Sequence, residues 1–240
     1  PANVTGIVTE LGGKTSHSAI LARALEIPSV VAVTDFMNQV KNGDQIVLDG
    51  SEGIVYVNPD AETAAEFAGK REAFLKEKKE LEQYIGRPTI TKDGVHVELA
   101  ANIGKPEDVE KVLQYDGEGV GLFRTEFLFM DRSAMPTEEE QFEAYKSVAE
   151  KLQGKPVIIR TLDIGGDKEI PYMGLAKDEN PFLGYRAIRL CLDRKEDIYK
   201  PQLRALLRAS AYGSIKIMIP LVTCIDELRE AKVLIEELKA

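Results

Sequence analysis

The chain has 240 residues, of which 44% are hydrophobic and 30% are charged, the composition of an ordinary globular protein. Its formal net charge of −9 argues against general nucleic-acid binding, because phosphate backbones attract basic surfaces. No stretch reaches the roughly 20 apolar residues of a membrane span, and the first residues carry no signal-peptide pattern. Composition therefore predicts a cytoplasmic protein with neither a nucleic-acid partner nor a membrane span.

Residues 1–58 predict part of a small β/α domain. Residues 1–9 and 29–33 have the β-branched composition of strands, and residues 35–40 predict a short helical turn. Two apolar runs, 46–48 and 54–57, flank the turn sequence DGSEG and predict a hairpin. So few residues enclose little core, and the chain begins without methionine, so we expect a piece of something longer.

The stretch 10–28 predicts a turn followed by a helix. Gly12 and Gly13 allow a tight turn, and Thr15 and Ser16 are residue types that cap a helix start. Apolar residues recur at helical spacing from His17 onward until Pro28 ends the pattern. His17 is thus expected in the first turn of a helix.

A histidine in that position suits phosphate chemistry. A helix N-terminus stabilises an anion, and a neutral imidazole keeps a nitrogen lone pair that can accept a phosphoryl group. The same residues also fit a histidine that merely caps a helix after a Gly-Gly turn. The residues alone leave both interpretations open.

Residues 61–83 predict a long, largely exposed helix. They are rich in Ala, Glu, Lys and Leu, with sparse apolar positions and no proline. Gly86, Arg87 and Pro88 end the pattern. We expect three parts: residues 1–58, a linker helix within 59–87, and a second domain at 88–240.

After Pro88, apolar strand patterns alternate with helical patterns. Strands are predicted at 95–103, 119–129, 156–165 and 215–222, with helices between them that include 181–192 and 195–211. This alternation predicts an α/β fold with a parallel sheet. The segment is too short for a (β/α)₈ barrel of about 250 residues, so we expect the N-terminal part of one. Periodicity leaves an open doubly wound sheet as the alternative.

Two arginines follow predicted strand cores. Arg124 ends the run Val-Gly-Leu-Phe, and Arg160 ends Val-Ile-Ile. Ligands of parallel α/β folds lie beyond the carboxyl ends of the strands, where paired guanidinium groups could grip a phosphate. Alternatively, each arginine pairs structurally with a nearby carboxylate such as Glu126 or Asp163.

The two cysteines, Cys191 and Cys224, lie in apolar surroundings without CxxC spacing, and we expect both to be buried free thiols. His96, the second histidine, lies in the apolar run VHVEL and is interpreted as structural.

Three segments resemble the phosphoenolpyruvate-utilising enzymes. GGKTSHSAILARALEIPSVVAV is similar to their phosphohistidine signature. GEGVGLFRTEFLFMDRSAMPTEEEQFEAYK and IIRTLDIGGDKEIPYMGLAKDENPFLGYRAIRL are similar to phosphoenolpyruvate-site segments of the enzyme I branch. These segments are closer to that branch than to pyruvate phosphate dikinase or phosphoenolpyruvate synthase.

The resemblance implies a phosphotransferase that moves phosphate from phosphoenolpyruvate to a protein histidine. His17 would be the covalent nucleophile, supported by Gly12, Gly13 and Thr15 in the acceptor loop. The substrate-binding residues it implies are Arg124, Arg160 and Arg186. The implied protein partner is a small histidine-containing phosphocarrier.

The resemblance also implies an architecture. Residues 1–58 would be the C-terminal part of a swivelling β/α phosphohistidine domain, joined by the linker helix to the first part of a TIM-type barrel at 88–240. Mg²⁺ ligands and the family's proton-donating cysteine are expected after residue 240, so residues 1–240 alone should show little or no turnover. The full-length protein is expected to be a homodimer. A nucleotide-dependent dikinase or synthase and a noncatalytic phosphoenolpyruvate-binding regulator are the alternatives.

Overall fold

The computed structural model describes residues 3–13, 16–130, 132–165, 170–176 and 178–239, and only the backbone of His17, Ile20 and Ala24. The chain divides into two compact units, Pro1–Tyr84 and Ile85–Ala240.

The first unit combines two small sheets with three helices. Strands β1 (Ile7–Val8) and β2 (Ser29–Val30) pair in parallel, while β3 (Ile46–Asp49) and β4 (Ile54–Val57) form an antiparallel hairpin. Helix α1 (His17–Ala24) connects β1 to β2, and a short helix α2 (Phe36–Gln39) follows. The hairpin is confirmed, whereas the expected strand at 29–33 is only two residues long because Ala32 adopts a left-handed backbone with φ of 60°.

Helix α3 (Ala61–Glu82) is the long helix expected from the sequence. Asp60 caps its N-terminus by accepting a hydrogen bond from the Thr63 amide at 2.8 Å. None of its residues is buried within the unit, as its charged composition predicts. Among the described residues, no helix has both the length and the apolar character needed to cross a bilayer.

The second unit contains a four-stranded parallel sheet with helices between the strands. Its strands are β5 (Ala100–Ile103), β6 (Gly119–Arg124), β7 (Val157–Arg160) and β8 (Ile215–Met218). Its α-helices are α4 (Val109–Gln114), α5 (Glu138–Lys151), α6 (Ala187–Asp193), α7 (Lys200–Ala209) and α8 (Ile225–Leu238). A π-helical turn, Lys195–Tyr199, joins α6 to α7. The predicted α/β class is confirmed.

The strands lie in the order β5-β6-β7-β8, so each strand pairs with the next in the chain. A doubly wound sheet reverses its strand order at a switch point, and these four strands contain no such reversal. The pairing of β6 with β7 shifts by one residue between Val120 and Phe123. That irregularity sets the register at which both strands end.

Helices cover one face of the sheet. Val120, Phe123, Val157 and Ile159 point into this layer and are at most 1% exposed. Helices α5 and α7 pack against each other over it. The core is completed by fully buried side chains that include Tyr145, Leu152, Ile188, Leu203 and Leu206. The opposite sheet face carries the alternate residues, and Asn102, Arg124, Lys216 and Met218 are exposed there.

Several expected elements are wrong in their extent. The strands predicted at 119–129, 156–165 and 215–222 already end at Arg124, Arg160 and Met218. Residues 95–99 do not continue β5, because the chain folds back and Ile90 pairs with His96 in an antiparallel bridge around Gly94, which has φ of +86°. The structural role interpreted for His96 fits this bridge and its 2.7 Å contact with Glu118. Helix α6 begins at Ala187 rather than near 181, since Arg186 is extended with φ of −154°.

The expectation for the cysteines is half right. Cys191 is fully buried, as predicted, and burial raises the pKa of its thiol. Cys224 is exposed, which contradicts the prediction. It precedes α8 at the N-cap position, where its amide donates to the Glu227 carboxylate at 3.3 Å, so its apolar neighbours in sequence do not surround it in space.

Candidate functional site

Arg124 and Arg160 are the last residues of β6 and β7, and they are register partners. Their preceding residues, Phe123 and Ile159, are also register partners and point into the helix-covered core. Because side chains alternate across a strand, both arginines belong to the opposite face. The parallel sheet therefore brings the two guanidinium-bearing positions side by side at the carboxyl ends of the strands.

Arg160 is held between two carboxylates. Its Nη2 donates to Oε1 of Glu126 at 2.7 Å, and its Nη1 lies 3.1 Å from Oδ2 of Asp163. The arginine side chain is 19% exposed, against 4% for Glu126 and 11% for Asp163. Within the described part of the chain, its buried Nε has no hydrogen-bond partner. The rigid fork of Arg160 is thus fixed at both terminal nitrogens.

Arg186 joins this cluster from the start of α6. Its Nε and Nη2 both donate to Oδ1 of Asp163, at 3.1 and 2.9 Å. It is 3% exposed, and its guanidinium also lies 5.2 Å from the ring centre of Phe182. Asp163 therefore bridges Arg160 and Arg186, so two of the three predicted substrate-binding arginines share one carboxylate.

Gly165 allows this close approach of Arg186 to the strand end. A Cβ atom at residue 165 would lie 2.3 Å from Cβ of Arg186, closer than two carbon atoms can come. Sequence reasoning missed Gly165 as a supporting residue. The glycine pair after Asp163 was the available signal, but spacing does not reveal that Arg186, 23 residues from Asp163, packs against it.

Arg124 differs from the other two arginines. Its side chain is exposed, it stacks over the Phe127 ring at 5.5 Å, and it forms no ion pair with any residue that the structure describes. The alternative that each arginine pairs with a nearby carboxylate therefore holds for Arg160, which pairs with Glu126 and Asp163, while the described residues show no such pair for Arg124. The exposed guanidinium group of Arg124 is therefore the one of the three that the described contacts leave accessible to an anionic ligand.

The predicted acceptor loop lies in the first unit. Gly12 has φ of +101°, a left-handed backbone that favours glycine, and the Ser16 amide donates to the Gly13 carbonyl at 2.9 Å. Ser16 caps α1 by accepting from the Ala19 amide at 3.4 Å, and His17 is the first helical residue. Thr15 and the side chain of His17 lie outside the described residues. Helix α1 ends at Ala24, before the expected stop at Pro28, and Glu26 has φ of 55°.

The arginine cluster does not fit a magnesium site. Mg²⁺ prefers oxygen ligands in octahedral geometry, whereas Oε1 of Glu126 and both oxygens of Asp163 already contact guanidinium groups. The described residues contain no group of three or more His, Cys, Asp or Glu side chains that could hold a metal ion.

Comparison with known proteins assigns a family to both units. A family described as "PEP-utilising enzyme, PEP-binding domain" matches residues 78–240, and one described as "PEP-utilising enzyme, mobile domain" matches residues 1–53. A solution NMR structure of Enzyme I is 50% identical over 29% of this chain and 28% of that chain, with a TM-score of 0.28. That TM-score supports no argument about the fold.

Curated relatives align over nearly the whole chain. Phosphoenolpyruvate-protein phosphotransferases are 58% identical in Staphylococcus carnosus (strain TM300) and 56% identical in Bacillus subtilis (strain 168), over 99% and 98% of this chain. That of Geobacillus stearothermophilus is 55% identical over 99% of the chain. The chain spans 41% of the length of each of these relatives. With a family model covering more than half of it, the chain belongs to the family of phosphoenolpyruvate-utilising enzymes.

Proposed function

We propose that the protein containing this chain is a phosphoenolpyruvate–protein phosphotransferase of the enzyme I type. It takes a phosphoryl group from phosphoenolpyruvate onto His17 and passes it to a small histidine-containing phosphocarrier protein. Relatives with that activity in their names, 55–58% identical over nearly the whole chain, support the proposal.

The register pairing of Arg124 with Arg160 is the observation that carries the proposal. Phosphoenolpyruvate brings a phosphate and a carboxylate, and bidentate guanidinium groups match the geometry of both. Arg160 is oriented by its two carboxylates, whereas Arg124 is exposed and without an ion pair in the described chain. Arg186 pairs with Asp163, which also contacts Arg160, and so adds a second positive charge near Arg160.

The first step forms a bond between an imidazole nitrogen of His17 and phosphorus, and it breaks the enol-ester P–O bond. The leaving enolate takes up a proton to become pyruvate. Arginine side chains around the phosphate neutralise the charge that develops on its oxygens. In the second step a carrier histidine attacks phosphorus and the N–P bond to His17 breaks, which regenerates the free imidazole.

The acceptor histidine and the arginines lie in different units, so the proposal includes a moving domain. Residues 1–58 would swing as the phosphohistidine domain, residues 59–87 would link it, and residues 88–240 would form the first part of a TIM-type barrel. The sequential order of β5 to β8 supports the barrel, because barrel strands follow one another in chain order. Gly12, Gly13 and Thr15 would shape the acceptor loop.

The remaining parts of the proposal come from the family resemblance. They are a Mg²⁺ requirement with ligands other than the described carboxylates, a cytoplasmic location, and a homodimer for the full-length protein. A magnesium ion would add positive charge at the phosphate and enolate oxygens.

Labelling with ³²P-phosphoenolpyruvate and Mg²⁺ tests the nucleophile in a polypeptide of the length of the relatives. The chain has two histidines, so His96→Ala is a matched control for His17→Ala. We expect acid-labile label on the wild type and on His96→Ala, and none on His17→Ala. Label that persists in His17→Ala would show that the assignment is wrong.

Two further experiments distinguish the proposed phosphotransferase from the alternative functions. Labelling from γ-³²P-ATP or β-³²P-ATP would favour a nucleotide-dependent dikinase or synthase. Binding of phosphoenolpyruvate without any label, seen as a thermal shift, would favour a noncatalytic regulator.

A further inference from the structure

A buried polar side chain of α7 contacts the ends of both arginine-bearing strands. Gln202 is 0% exposed. Its Nε2 donates to Oγ1 of Thr125 and to the hydroxyl of Tyr145, each at 3.2 Å, and its Oε1 accepts from the Leu162 amide at 2.9 Å. Both amide donors and the carbonyl oxygen of Gln202 are therefore engaged.

The orientation of the Gln202 amide is fixed by its partners. A backbone N–H can only donate, so the atom facing Leu162 must be the carbonyl oxygen, and the NH₂ group must face the two hydroxyl groups. A flipped amide would set two donors against each other. Each hydroxyl accepts a hydrogen bond from the Gln202 amide and donates one of its own. Thr125 donates to the Arg160 carbonyl at 2.8 Å, and Tyr145 donates to Oε1 of Gln141 at 3.2 Å.

These hydrogen bonds fix the backbone on both sides of the arginine pair. Thr125 directly follows Arg124, and its hydroxyl ties β6 to the carbonyl of Arg160 on β7. Leu162 lies two residues after Arg160 and is tied to the same glutamine. Thr125 and Leu162 are 0% exposed, so water cannot replace these contacts without opening the core.

The backbone pairing of the sheet does not fix these positions alone. The β6–β7 register shifts by one residue between Val120 and Phe123, just before the arginines, and the pairing ends at Arg124 and Arg160. Beyond that point the Thr125 hydroxyl, the Gln202 amide and the ion pair of Arg160 with Glu126 connect the strand ends. An arginine fork misplaced by about 1 Å loses its bidentate geometry, which can reduce function on the order of a hundredfold.

We propose that Gln202 is a positioning residue, which holds Arg124 and Arg160 at the separation needed to grip phosphoenolpyruvate from the opposite side of the sheet. This role rests on the proposed function, because the ligand is the one assigned there. Gln202 contacts no ligand itself and acts only through Thr125 and Leu162.

The same network supplies a matched control. Gln141 is 1% exposed, accepts from Tyr145, and donates from Nε2 to the Pro136 carbonyl at 3.2 Å, but it contacts neither strand end. Gln141→Leu and Gln202→Leu thus remove equivalent buried amides, and we expect similar losses of thermal stability. Only Gln202→Leu releases the arginine-bearing strand ends.

The test measures phosphoenolpyruvate affinity by titration of a polypeptide of the relatives' length and of its variants. We expect Gln202→Leu to raise the Kd about tenfold or more, and Gln141→Leu to change it less than about twofold. Thr125→Val should behave like Gln202→Leu, and Thr125→Ser, which keeps the hydroxyl, should restore affinity. The double variant Gln202→Leu/Thr125→Val should raise the Kd little more than either single variant, because both substitutions break the same hydrogen-bonded connection between the strand ends.

Several results would overturn the positioning role. These are equal losses of affinity in the Gln202 and Gln141 variants, unchanged affinity in Gln202→Leu, or no difference between Thr125→Ser and Thr125→Val. Should Gln202→Leu fail to fold, the two Thr125 variants decide the matter by themselves.

A second readout needs no ligand. The Nε–Hε NMR signal of Arg160, assigned by its loss in Arg160→Lys, should shift in Gln202→Leu and stay in place in Gln141→Leu. If the wild type does not bind phosphoenolpyruvate, the proposed function fails, while a shift confined to the Gln202 variant still supports positioning. A signal that stays in place in both variants contradicts it.

Discussion

Arg186 donates from both Nε and Nη2 to a single oxygen of Asp163, at 3.1 and 2.9 Å, in a site where the arginine is 3% exposed. The other oxygen of Asp163 lies 3.1 Å from Arg160. Asp163 thus pairs with two guanidinium groups, of which Arg160 also pairs with Glu126 at 2.7 Å.

Asp163→Asn should therefore destabilise the second unit by about 3 kcal/mol, because it removes the carboxylate charge that the buried Arg186 and the largely buried Arg160 share. Urea denaturation measures the change. Asp226→Asn is the control, since Asp226 pairs with Arg229 at 2.8 Å with side chains 80% and 70% exposed. We expect that change to stay below about 0.5 kcal/mol. Equal losses in the two variants would refute the role given to Asp163.

Gly165→Ala should destabilise the same unit by about 1–3 kcal/mol, because the new methyl group would have to displace Cβ of Arg186. Gly69→Ala provides the contrast, since Gly69 lies inside α3 and a methyl group added there would meet nothing within 4 Å. Alanine there should stabilise the helix by about 0.5–1 kcal/mol. Thermal unfolding of both variants measures the loss of stability expected for Gly165→Ala and the gain expected for Gly69→Ala. An unchanged stability of Gly165→Ala would contradict the steric clash inferred at residue 165.

The hairpin at residues 89–99 should open at acid pH. The Leu99 amide, above all, and contacts from His96 and Thr89 lower the pKa of Glu118 from its ordinary value of 4.5. A carboxyl group with a lowered pKa in the folded state stabilises the fold above its unfolded pKa, and this stabilisation disappears as pH falls through the folded pKa. Hydrogen exchange at Leu99 should therefore accelerate below about pH 4.5, relative to the intrinsic rate.

Glu118→Gln is the control for the hairpin, because its amide cannot ionise. Hydrogen exchange at the Leu99 amide should then be fast at every pH and should no longer accelerate as the pH falls. A transition that persists in this variant would show that another group controls the hairpin.

The two thiols should differ sharply in reactivity. Cys224 is exposed, whereas Cys191 is fully buried and its pKa is raised by burial and by the charge of Asp163. Iodoacetamide should therefore modify Cys224 in the native chain and Cys191 only after denaturation. Peptide mass spectrometry distinguishes the two sites, and native modification of Cys191 would contradict its burial.

The sequence predicted the parts of the fold that depend on local pattern. Apolar runs placed the strands that end at Arg124 and Arg160, and alternation with helices predicted the parallel sheet. Two of the errors arise where a local conformation overrides the pattern: Gly94 turns the chain back before β5, and the extended backbone of Arg186 delays α6.

Relations across long sequence distances were not predictable from spacing. Asp163 and Arg186 are 23 residues apart, and Gln202 and Thr125 are 77 residues apart, yet both pairs are in contact. No periodicity encodes such pairs, because they arise only when helices pack on the sheet. The exposure of Cys224 escaped prediction for the same reason.

Phosphoenolpyruvate affinity in Arg124→Gln tests the central claim most directly. Arg124 is exposed and has no ion pair within the described chain, so its loss should leave folding intact. Isothermal titration of a polypeptide of the relatives' length should show Kd raised about tenfold or more, because a charge-assisted hydrogen bond is worth about 1.5–3 kcal/mol. Arg229→Gln, at an exposed arginine of α8, should leave the Kd unchanged. An unchanged Kd in Arg124→Gln would contradict the assignment of the paired strand-end arginines to the substrate.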